Sequence, residues 1–264
     1  MNKARIGLIG LGYVGRYVYD QVSSRPELGL EVVFVHDLAP ERLAGLPAGV
    51  ALKDIRDFGS RRPDLVVEMA HPGVTREYGG MFLQAADYMP LSMTAFADAA
   101  LERRLLDTAR ASGRCLFIPH GAVVGLENIF EGREVWEEVT MVMKKSPRNL
   151  DFSAAPQFKA AEITRPTVLY DGPTRAVCPQ FPRNVNSHAT VALAGIGFDR
   201  TRSVLIADPG LDVSVIEISA RGKGVAMKIE RSNPLKGVSG VFTLNSTLAA
   251  VCRAKGAGGA MQIC

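Results

Sequence analysis

Short apolar runs alternate with longer helix-like stretches over the first part of the chain, from Arg5 to about Ile118. This rhythm is typical of strands joined by crossover helices, so it predicts an α/β domain with a doubly wound parallel sheet. One crossover segment, Ala97–Ser112, has its apolar residues on one face and its charges on the other, which predicts an amphipathic helix. The predicted strands are RIGLIG, EVVFVHD, PDLVVEMA, DYMPLSM and RCLFIP.

The texture changes beyond about Gly121, where strand-like runs follow one another at shorter intervals and helical stretches become few. In VAMKIE, the residues Val225, Met227 and Ile229 alternate with Ala226, Lys228 and Glu230, as in a strand with one solvent-exposed or partner-covered face. This pattern predicts a second domain of α+β type with a mixed sheet.

The domain boundaries follow from these two textures. We place the first domain at 1–121 and the second at 122–238, and a last helix within 239–264, roughly Ser239 to Arg253, is a candidate to pack back on the first domain. The prolines of CPQFPR followed by NVNSHATVALAG predict a turn and then a helix, with Asn184 near its start as the cap.

A glycine-rich turn follows the first predicted strand directly and precedes a helical pattern, in ARIGLIGLGYVGRYVYDQV. In a G-x-G-x-x-G turn the three glycines allow, in order, a tight turn, a close approach of backbone to a pyrophosphate, and close packing of helix on strand. Free N–H groups at the helix N-terminus then face the phosphates. The segment predicts a Rossmann-type dinucleotide site, with a merely structural turn as the alternative. Its predicted cofactor contacts are Gly10, Leu11, Gly12, Tyr13, Val14 and Gly15.

The second predicted strand ends on Asp37, about 20 positions after the last glycine, where the dinucleotide fingerprint has an acidic residue. Its carboxylate can bond both ribose hydroxyls and would repel a 2′-phosphate, which favours NAD over NADP. The next basic residue, Arg42, is several positions away, which also favours NAD. His36 beside Asp37 weakens the exclusion of a 2′-phosphate, so NADP stays possible. The alternative is that Asp37 is an ordinary turn or helix-cap residue before Pro40.

Two predicted strands end beside residues that could reach a cofactor. Ligands of doubly wound sheets lie beyond the carboxyl ends of the strands, so Ala70 and His71 after LVVEM, and His120 after RCLFIP, are well placed. We include Ala70 and His71 among the predicted cofactor contacts. Either histidine is also compatible with an ordinary surface loop, and for His71, which precedes a proline, that alternative has at least equal weight.

The composition of the 264 residues is that of an ordinary folded protein, with 47% hydrophobic and 22% charged residues. The net charge of +4 is spread without a long basic run, which argues against a nucleic-acid or membrane partner and favours a small anionic ligand. No apolar run is long enough to span a bilayer. The four cysteines form no CxxC pair, so we predict no metal site and no disulfide framework, and we place the protein in the cytoplasm.

Together these motifs resemble the L-aspartate dehydrogenase family nearly end to end. The resemblance rests on GLIGLGYVG, RRPDLVVEMAHP, HGAVVGLENI, YDGPTRAVCPQFPRNVNSHATVALAGIGFDRT and VLIADP, of which FPRNVN before an Ala-rich helix is the most specific. It implies a second domain similar to those of homoserine dehydrogenase and dihydrodipicolinate reductase. It also implies oxidation of aspartate to iminosuccinate with NAD(P), then hydrolysis to oxaloacetate and ammonia, or the reverse. An oligomer is usual, so we expect a homodimer or tetramer.

The resemblance also assigns site residues. It implies that Ala122 and Asn186 contact NAD around the nicotinamide and its ribose, and that Asn184 supports the same turn. The carboxylates of an amino or oxo acid need cationic or N–H partners, and VMKKSPRN is basic in the family as well, so Lys144 and Asn184 are our predicted substrate contacts. Further cationic candidates are Lys145, Arg148 and Arg183.

One position departs from the family pattern. After ADP the family has Asn-x-His with a catalytic histidine, whereas this chain has Ser214 and Ile216 in the corresponding places, and Ile216 cannot exchange a proton. We therefore predict that His188 or His120, each beside a cofactor motif, has taken over the proton transfer, since imidazole titrates near neutral pH. The alternative for His188 is a packed or helix-surface residue.

Three functions remain compatible with the sequence. The first is an NAD(P)-dependent amino acid dehydrogenase that acts on aspartate. The second is a dehydrogenase for a different small amino or hydroxy acid, which the loss of the family histidine would explain. The third is a catalytically silent NAD-binding protein with an intact glycine loop and no chemistry.

Overall fold

The structure, a computed structural model, describes residues 3–234 and 240–256. Contacts divide this part of the chain into two compact units. The first unit contains residues 3–92, 100–119 and 244–256. The second unit contains residues 93–99, 120–234 and 240–243. Ser239, the predicted start of the last helix, and Cys264 lie outside the described residues.

A parallel four-stranded sheet forms the centre of the first unit, in the order β2-β1-β3-β4. The side chains of β3 are buried on both faces, as expected for a parallel sheet covered by helices. The predicted Rossmann-type fold of this part is confirmed. Its strands are β1 (Ala4–Ile9), β2 (Leu30–His36), β3 (Leu65–Glu68) and β4 (Asp87–Pro90).

The prediction that RCLFIP forms a strand is wrong. Only Leu116 of this segment forms a bridge, parallel to Tyr88 of β4. The ladder stops there because the backbone N–H of Cys115 donates to the side chain of Asp87 instead of to a strand. The sheet therefore has four strands among the residues described, where the sequence predicted five.

Helices surround this sheet, and the amphipathic one predicted at 97–112 is confirmed, with Leu101, Leu105 and Ala109 buried. The last helix packs into the same core, since Leu248 and Val251 belong to the apolar cluster that includes the strands β1 and β3. The helices are α1 (Tyr13–Ser24), α2 (Pro40–Leu43), α3 (Pro72–Ala85), α4 (Ala99–Ser112) and, closing the described chain, α8 (Val241–Lys255).

The second unit contains a mixed five-stranded sheet, in the order β6-β7-β5-β8-β9, with β5 and β7 parallel and the other pairs antiparallel. The predicted α+β domain with a mixed sheet is confirmed. Its strands are β5 (Trp136–Lys145), β6 (Thr167–Pro173), β7 (Thr201–Ala207), β8 (Val213–Gly222) and β9 (Val225–Pro234), and its helices are α5 (Leu126–Glu131), α6 (Thr174–Val177) and α7 (Asn186–Ala194).

One face of this sheet is buried and the other is partly open. Along β5, Val139, Met141, Met143 and Lys145 are all buried, and the helix α7 contacts both β5 and β7. The alternation predicted for β9 is also seen, since its residues are alternately half-buried and exposed from Met227 onward. None of the described helices is both long and apolar enough to cross a membrane.

Candidate functional site

The glycine loop has the geometry that a dinucleotide pyrophosphate requires. Gly10 has φ +90° and faces Met69, whose carbonyl oxygen lies 2.9 Å from where a Cβ would be. A Cβ on Gly15 would collide with the carbonyl oxygen of Gly10. Beside Gly12, by contrast, the nearest atom is an Arg42 nitrogen at 4.0 Å, so the loop is open there. The turn is therefore closely packed at Gly10 and Gly15 and open beside Gly12, as the binding of a pyrophosphate requires.

The start of α1 has backbone donors that a phosphate group could bind. Gly12 is its N-cap and forms no side-chain cap hydrogen bond. The first-turn backbone N–H groups of an α-helix have no intrahelical partner, and the helix dipole favours an anion there. The predicted contacts Tyr13 and Val14 begin this turn, so the residues present fit a dinucleotide.

Asp37 lies at the end of β2 and joins that strand to the glycine loop. Its Oδ2 accepts from the backbone N–H of Leu11 at 2.6 Å, and its Oδ1 accepts from that of Ala39 at 2.9 Å. Burial by itself raises the pKa of Asp37, but these hydrogen bonds and the guanidinium of Arg42, 3.3 Å away, outweigh it, so the net pKa is lowered. The lowered pKa keeps the carboxylate ionised at neutral pH, and its hydrogen bond to Leu11 holds it against the glycine loop, with 6% of its side chain exposed.

The sequence did not reveal that Arg42 lies beside Asp37. The short helix α2 brings the arginine back to the glycine loop, and Arg16 donates to its carbonyl oxygen at 2.9 Å. A guanidinium half exposed at this place offers a partner for a 2′-phosphate. The only sequence signal was the turn residue Pro40, which permits such a return.

A fully buried carboxylate, Glu68, fixes the loop after β3. Its oxygens accept from the backbone N–H groups of Ala70 and His71, at 2.7 and 2.8 Å, and from both the N–H and the hydroxyl of Ser92. Burial raises the pKa of Glu68, against the lowering effect of these donors. The Nδ1 of His71 accepts from the N–H of Gly73, so this histidine caps α3. From the sequence, Glu68 was distinguishable only as a strand residue.

In the second unit, Asn186 is the first residue of α7, and its side-chain oxygen accepts from the N–H of Thr94 at 3.2 Å. Asn184 does not cap this helix, so that prediction is wrong: the N-cap is Val185, with no side-chain cap hydrogen bond. The amide of Asn184 instead pairs with the backbone of Asp151, accepting from its N–H and donating to its carbonyl. The amide oxygen and nitrogen of Asn184 are thus both hydrogen-bonded to Asp151, and they hold the loop around that residue in place.

His120 and Ala122 lie in the loop that precedes α5. The Nε2 of His120 is 3.1 Å from a carboxylate oxygen of Glu127, and its side chain is 18% exposed. Ala122 is half-buried. These positions are compatible with the predicted roles, which stay predictions.

A buried polar chain lies between α7 and β7. The Nδ1 of His188 is 2.9 Å from the hydroxyl of Ser203, which is 2.7 Å from that of Thr174. His188 is fully buried, and its Nε2 has no hydrogen-bond partner within the described chain. Burial, aided by the charge of Lys145, lowers the pKa of His188 to about 3. The imidazole is therefore neutral at physiological pH.

The same sheet face brings together a cationic cluster, which we define as Lys145 and Arg231 with the neighbouring His188. In the strand register Met143 faces Ile216, and Ile216 faces Arg231. Lys145, the next residue of β5 on that face, is only 8% exposed. Burial and then the charge of Arg231 lower the pKa of Lys145 to about 8. The position that the family resemblance assigns to histidine thus lies near the buried Lys145 and beside the half-buried Arg231.

Lys144, the predicted substrate contact, points to the opposite face. Its ammonium lies 2.5 Å from a carboxylate oxygen of Glu217, and this hydrogen bond, with the attraction of the two charges, raises the pKa of Lys144. Successive strand residues face opposite sides of a sheet, so the two adjacent lysines have different surroundings. Sequence spacing could not show which of the two is buried, because that depends on where α7 packs.

Two family models match the chain. One describes the NAD binding domain of homoserine dehydrogenase and matches residues 10–119. The other describes the C-terminal domain of aspartate dehydrogenase and matches residues 131–254. The first contains the glycine loop and Asp37, and the second contains the cationic cluster.

Curated relatives match over most of the chain. The aspartate dehydrogenase domain-containing protein of Xenopus tropicalis is 35% identical over 280 residues, which cover 100% of this chain and 99% of that protein. L-aspartate dehydrogenase 1 of Bordetella pertussis is 32% identical over 221 residues, which cover 83% of each.

A solved structure agrees with the fold. The crystal structure of aspartate dehydrogenase from Thermotoga maritima has a TM-score of 0.72 at 21% identity, covering 95% of this chain and 94% of that one. The predicted family, enzyme class and cofactor are confirmed by these findings. The chain belongs to the aspartate dehydrogenase family, and it is an NAD(P)-dependent dehydrogenase.

Proposed function

We propose that this enzyme oxidises L-aspartate, or a closely similar small anionic amino acid, to the corresponding imine, and that it also catalyses the reverse reductive amination. Water converts the imine to the 2-oxo acid and ammonia. The names of the relatives support this substrate, and the structural observation that supports it best is the cationic cluster of Lys145 and Arg231.

Buried cations need an anionic partner. The Nε of Arg231 is buried without a hydrogen-bond partner among the described residues, and Lys145 near it is 8% exposed and has no ion pair with a described carboxylate. An unpaired buried charge is costly, so the two cations favour a ligand that supplies carboxylates. Aspartate has two, and a guanidinium binds a carboxylate through parallel hydrogen bonds.

The chain's own residues divide the work between the units. In the first unit, the N-terminal turn of α1 binds the pyrophosphate and Asp37 binds the adenosine ribose. In the second unit, Arg231 orients a substrate carboxylate. The resemblance predicts that Ala122 and Asn186 contact the nicotinamide end. A bound NAD(P) would supply the hydride acceptor for oxidation at the substrate α-carbon. Lys144 and Asn184 stay predicted substrate contacts, but their bonds to Glu217 and Asp151 favour Arg231 as the group that binds a substrate carboxylate.

The experiment assays a panel of amino acids, hydroxy acids, and 2-oxo acids with ammonia, each with NAD(H) and NADP(H). The absorbance of the reduced cofactor measures turnover. We expect aspartate and oxaloacetate to be turned over. Arg231→Met should raise KM for aspartate about 10- to 100-fold, because it removes a charge-assisted hydrogen bond, and should leave NAD affinity unchanged. The control is Arg221→Met, an exposed arginine of β8. Turnover of other acids but not aspartate would contradict the substrate.

We also infer that a second copy of this chain covers the open face of the five-stranded sheet. Val142, Val204, Ile206 and Val215 are only half-buried on that face, and Val168 is 56% exposed. An exposed apolar patch on a protein surface is typical of a protein interface. Light scattering should therefore give a dimer or tetramer for the wild type and smaller species for Val204→Glu, and a monomeric wild type would contradict this inference.

We place this activity in the cytoplasm. Cys115, Cys178 and Cys252 are free thiols, and reduced cysteines are the rule in that compartment. Cell fractionation tests the assignment, and recovery of the protein outside the cytoplasm would contradict it.

A further inference from the structure

The surroundings of Lys145 are unlike those of an ordinary surface lysine. It ends β5 on the buried face of the sheet, 8% exposed. The charged or titratable groups that act on it are cationic or neutral: Arg231 faces it from β9 and His188 from α7. Asp208, just beyond the end of β7, directs its carboxylate at the N–H of Gly210. Within the described residues, no carboxylate pairs with the ammonium of Lys145.

Lys145 also lies next to the position that lacks a proton carrier. Ile216 pairs with Met143, two residues before Lys145 on the same strand and the same face. Ser214, two residues before Ile216, is buried on that face as well, and it pairs with Asn233, whose Oδ1 has no partner among the described groups. A substrate bound to Arg231 would therefore meet the Lys145 amine.

We propose that Lys145 is the acid–base residue of this enzyme, in place of the histidine that the family has where this chain has Ile216. This inference rests on the proposed oxidation of an amino acid. A buried lysine beside the cation Arg231 is suited to this role, because burial and the neighbouring positive charge both favour the neutral amine, which is the form that accepts a proton. The lowered pKa of Lys145, about 8, agrees with this geometry.

In the oxidation, the neutral amine of Lys145 takes one proton from the substrate ammonium, which leaves a lone pair on the substrate nitrogen. The α-carbon–hydrogen bond breaks with its electron pair passing to the cofactor as hydride, and the nitrogen lone pair forms the carbon–nitrogen double bond. The amino acid is oxidised by two electrons, NAD(P) is reduced, and the released proton is on Lys145. In the reverse direction Lys145 returns the proton to the nitrogen.

The two histidines are less suited to this step. His188 has a pKa of about 3, so it holds a proton poorly at physiological pH, and its Nδ1 is already engaged with Ser203. His120 is paired with Glu127 at 3.1 Å. We assign to His188 a neutral hydrogen bond within the buried chain, and we make proton transfer by either histidine an outcome of the test.

The first test compares substitutions of Lys145. Lys145→Arg keeps the positive charge but cannot lose a proton near neutral pH, and Lys145→Ala removes the charge and the titratable amine. Each variant should lower kcat at least about 100-fold, the usual contribution of general acid–base catalysis. The wild-type kcat/KM for oxidation should rise through pH 8, because the neutral amine is the base, and the variants should lose that limb. Methylamine should restore part of the activity of Lys145→Ala. The matched control is Lys228→Met, an exposed lysine of β9.

The second test needs no turnover. Cyanate modifies neutral amines, so modification of Lys145, followed by peptide mass spectrometry, should rise with a midpoint near pH 8 and should slow when succinate, a dicarboxylate without an amine, is added. NAD affinity of each variant shows that it is folded. Lys145 modification that stays low through pH 9 would overturn the inference.

The outcomes separate the two proposals. The role of Lys145 is overturned, and the proposed function stays intact, if the wild type turns over aspartate and the kcat of Lys145→Arg is within threefold of its kcat. The same conclusion follows if His188→Asn or His120→Ala, and not the Lys145 variants, loses the rise of kcat/KM through pH 8. Turnover of another amino acid with loss of activity in Lys145→Arg overturns only the choice of aspartate. A wild type that turns over no compound of the panel overturns both.

Discussion

A buried neutral histidine links the stability of this protein to pH. The pKa of His188 is about 3 in the folded chain against about 6.5 unfolded, so between these values the unfolded chain binds a proton that the native chain does not. Stability is therefore lost as pH falls from about 6.5 towards 3, by up to about 1.4 kcal/mol per pH unit. We expect His188→Gln to reduce this slope by up to one proton.

Urea denaturation at a series of pH values measures that slope. The variant should lose about 1 kcal/mol at neutral pH, where the bond to Ser203 weakens, yet should approach the wild type in acid. Equal slopes for the two proteins would show that His188 is not the proton-linked group.

We expect a pair of side chains, Asp37 and Arg42, to decide the choice between NAD and NADP. The ionised carboxylate repels a 2′-phosphate, while the half-exposed guanidinium 3.3 Å away would attract one. Asp37→Ser should therefore weaken NAD binding and strengthen NADP binding, each about tenfold, in a fluorescence titration. Adding Arg42→Ala should remove the gain for NADP. If the double variant kept that gain, Arg42 would not be the phosphate partner.

At the residue scale, the sequence predicts backbone geometry better than side-chain partners. Gly10 and Gly15 have the close contacts that their motif requires, because a motif of fixed spacing encodes local geometry. The choice between Lys144 and Lys145 could not be made, since it depends on the packing of a helix that is distant in sequence. The same holds for Asn184, whose partner Asp151 is more than thirty residues away.

At the scale of elements, α8 is part of the first unit's core. Leu248 is 7% exposed and Val251 is fully buried in the cluster of β1 and β3, while Lys255 pairs with Asp87 at 2.7 Å. Leu248→Ala should lower the free energy of unfolding by about 2–3 kcal/mol, through lost burial and a cavity. Val241→Ala, at a position 64% exposed on the same helix, should change it by less than about 0.5 kcal/mol.

Chemical denaturation followed by NAD binding measures this effect, because the first unit contains the glycine loop. If the two variants had the same stability, α8 would be an appendage of this unit and not part of its core.

Element type follows from periodicity, whereas sheet order does not. The alternation of apolar runs and helices was sufficient to predict the parallel sheet, and RCLFIP failed only because Asp87 takes the N–H of Cys115. In the second unit, the central β5 lies between β7 and β8, and no local pattern specifies that order. The place of Ile216 between Met143 and Arg231 follows from this order, so the sequence could predict that a histidine is replaced at this position but not which residues surround it.

At the scale of the whole molecule, two ligands should stabilise the protein through different residues. A ligand that binds only the folded state stabilises it by about 2.7 kcal/mol at one hundred times its Kd, which for a domain of this size raises Tm by about 5–10 °C. We expect such a shift with NAD, and a separate shift with succinate, whose carboxylates resemble those of aspartate. Thermal unfolding with each ligand measures both.

Single substitutions should remove one shift and keep the other. In Arg231→Met the succinate shift should disappear while the NAD shift persists, because the substitution removes a guanidinium of the second unit and leaves the glycine loop unchanged. In Asp37→Ser the NAD shift should shrink and the succinate shift should persist. If succinate stabilised Arg231→Met as strongly as the wild type, the cationic cluster would not bind carboxylates, whatever the enzyme oxidises.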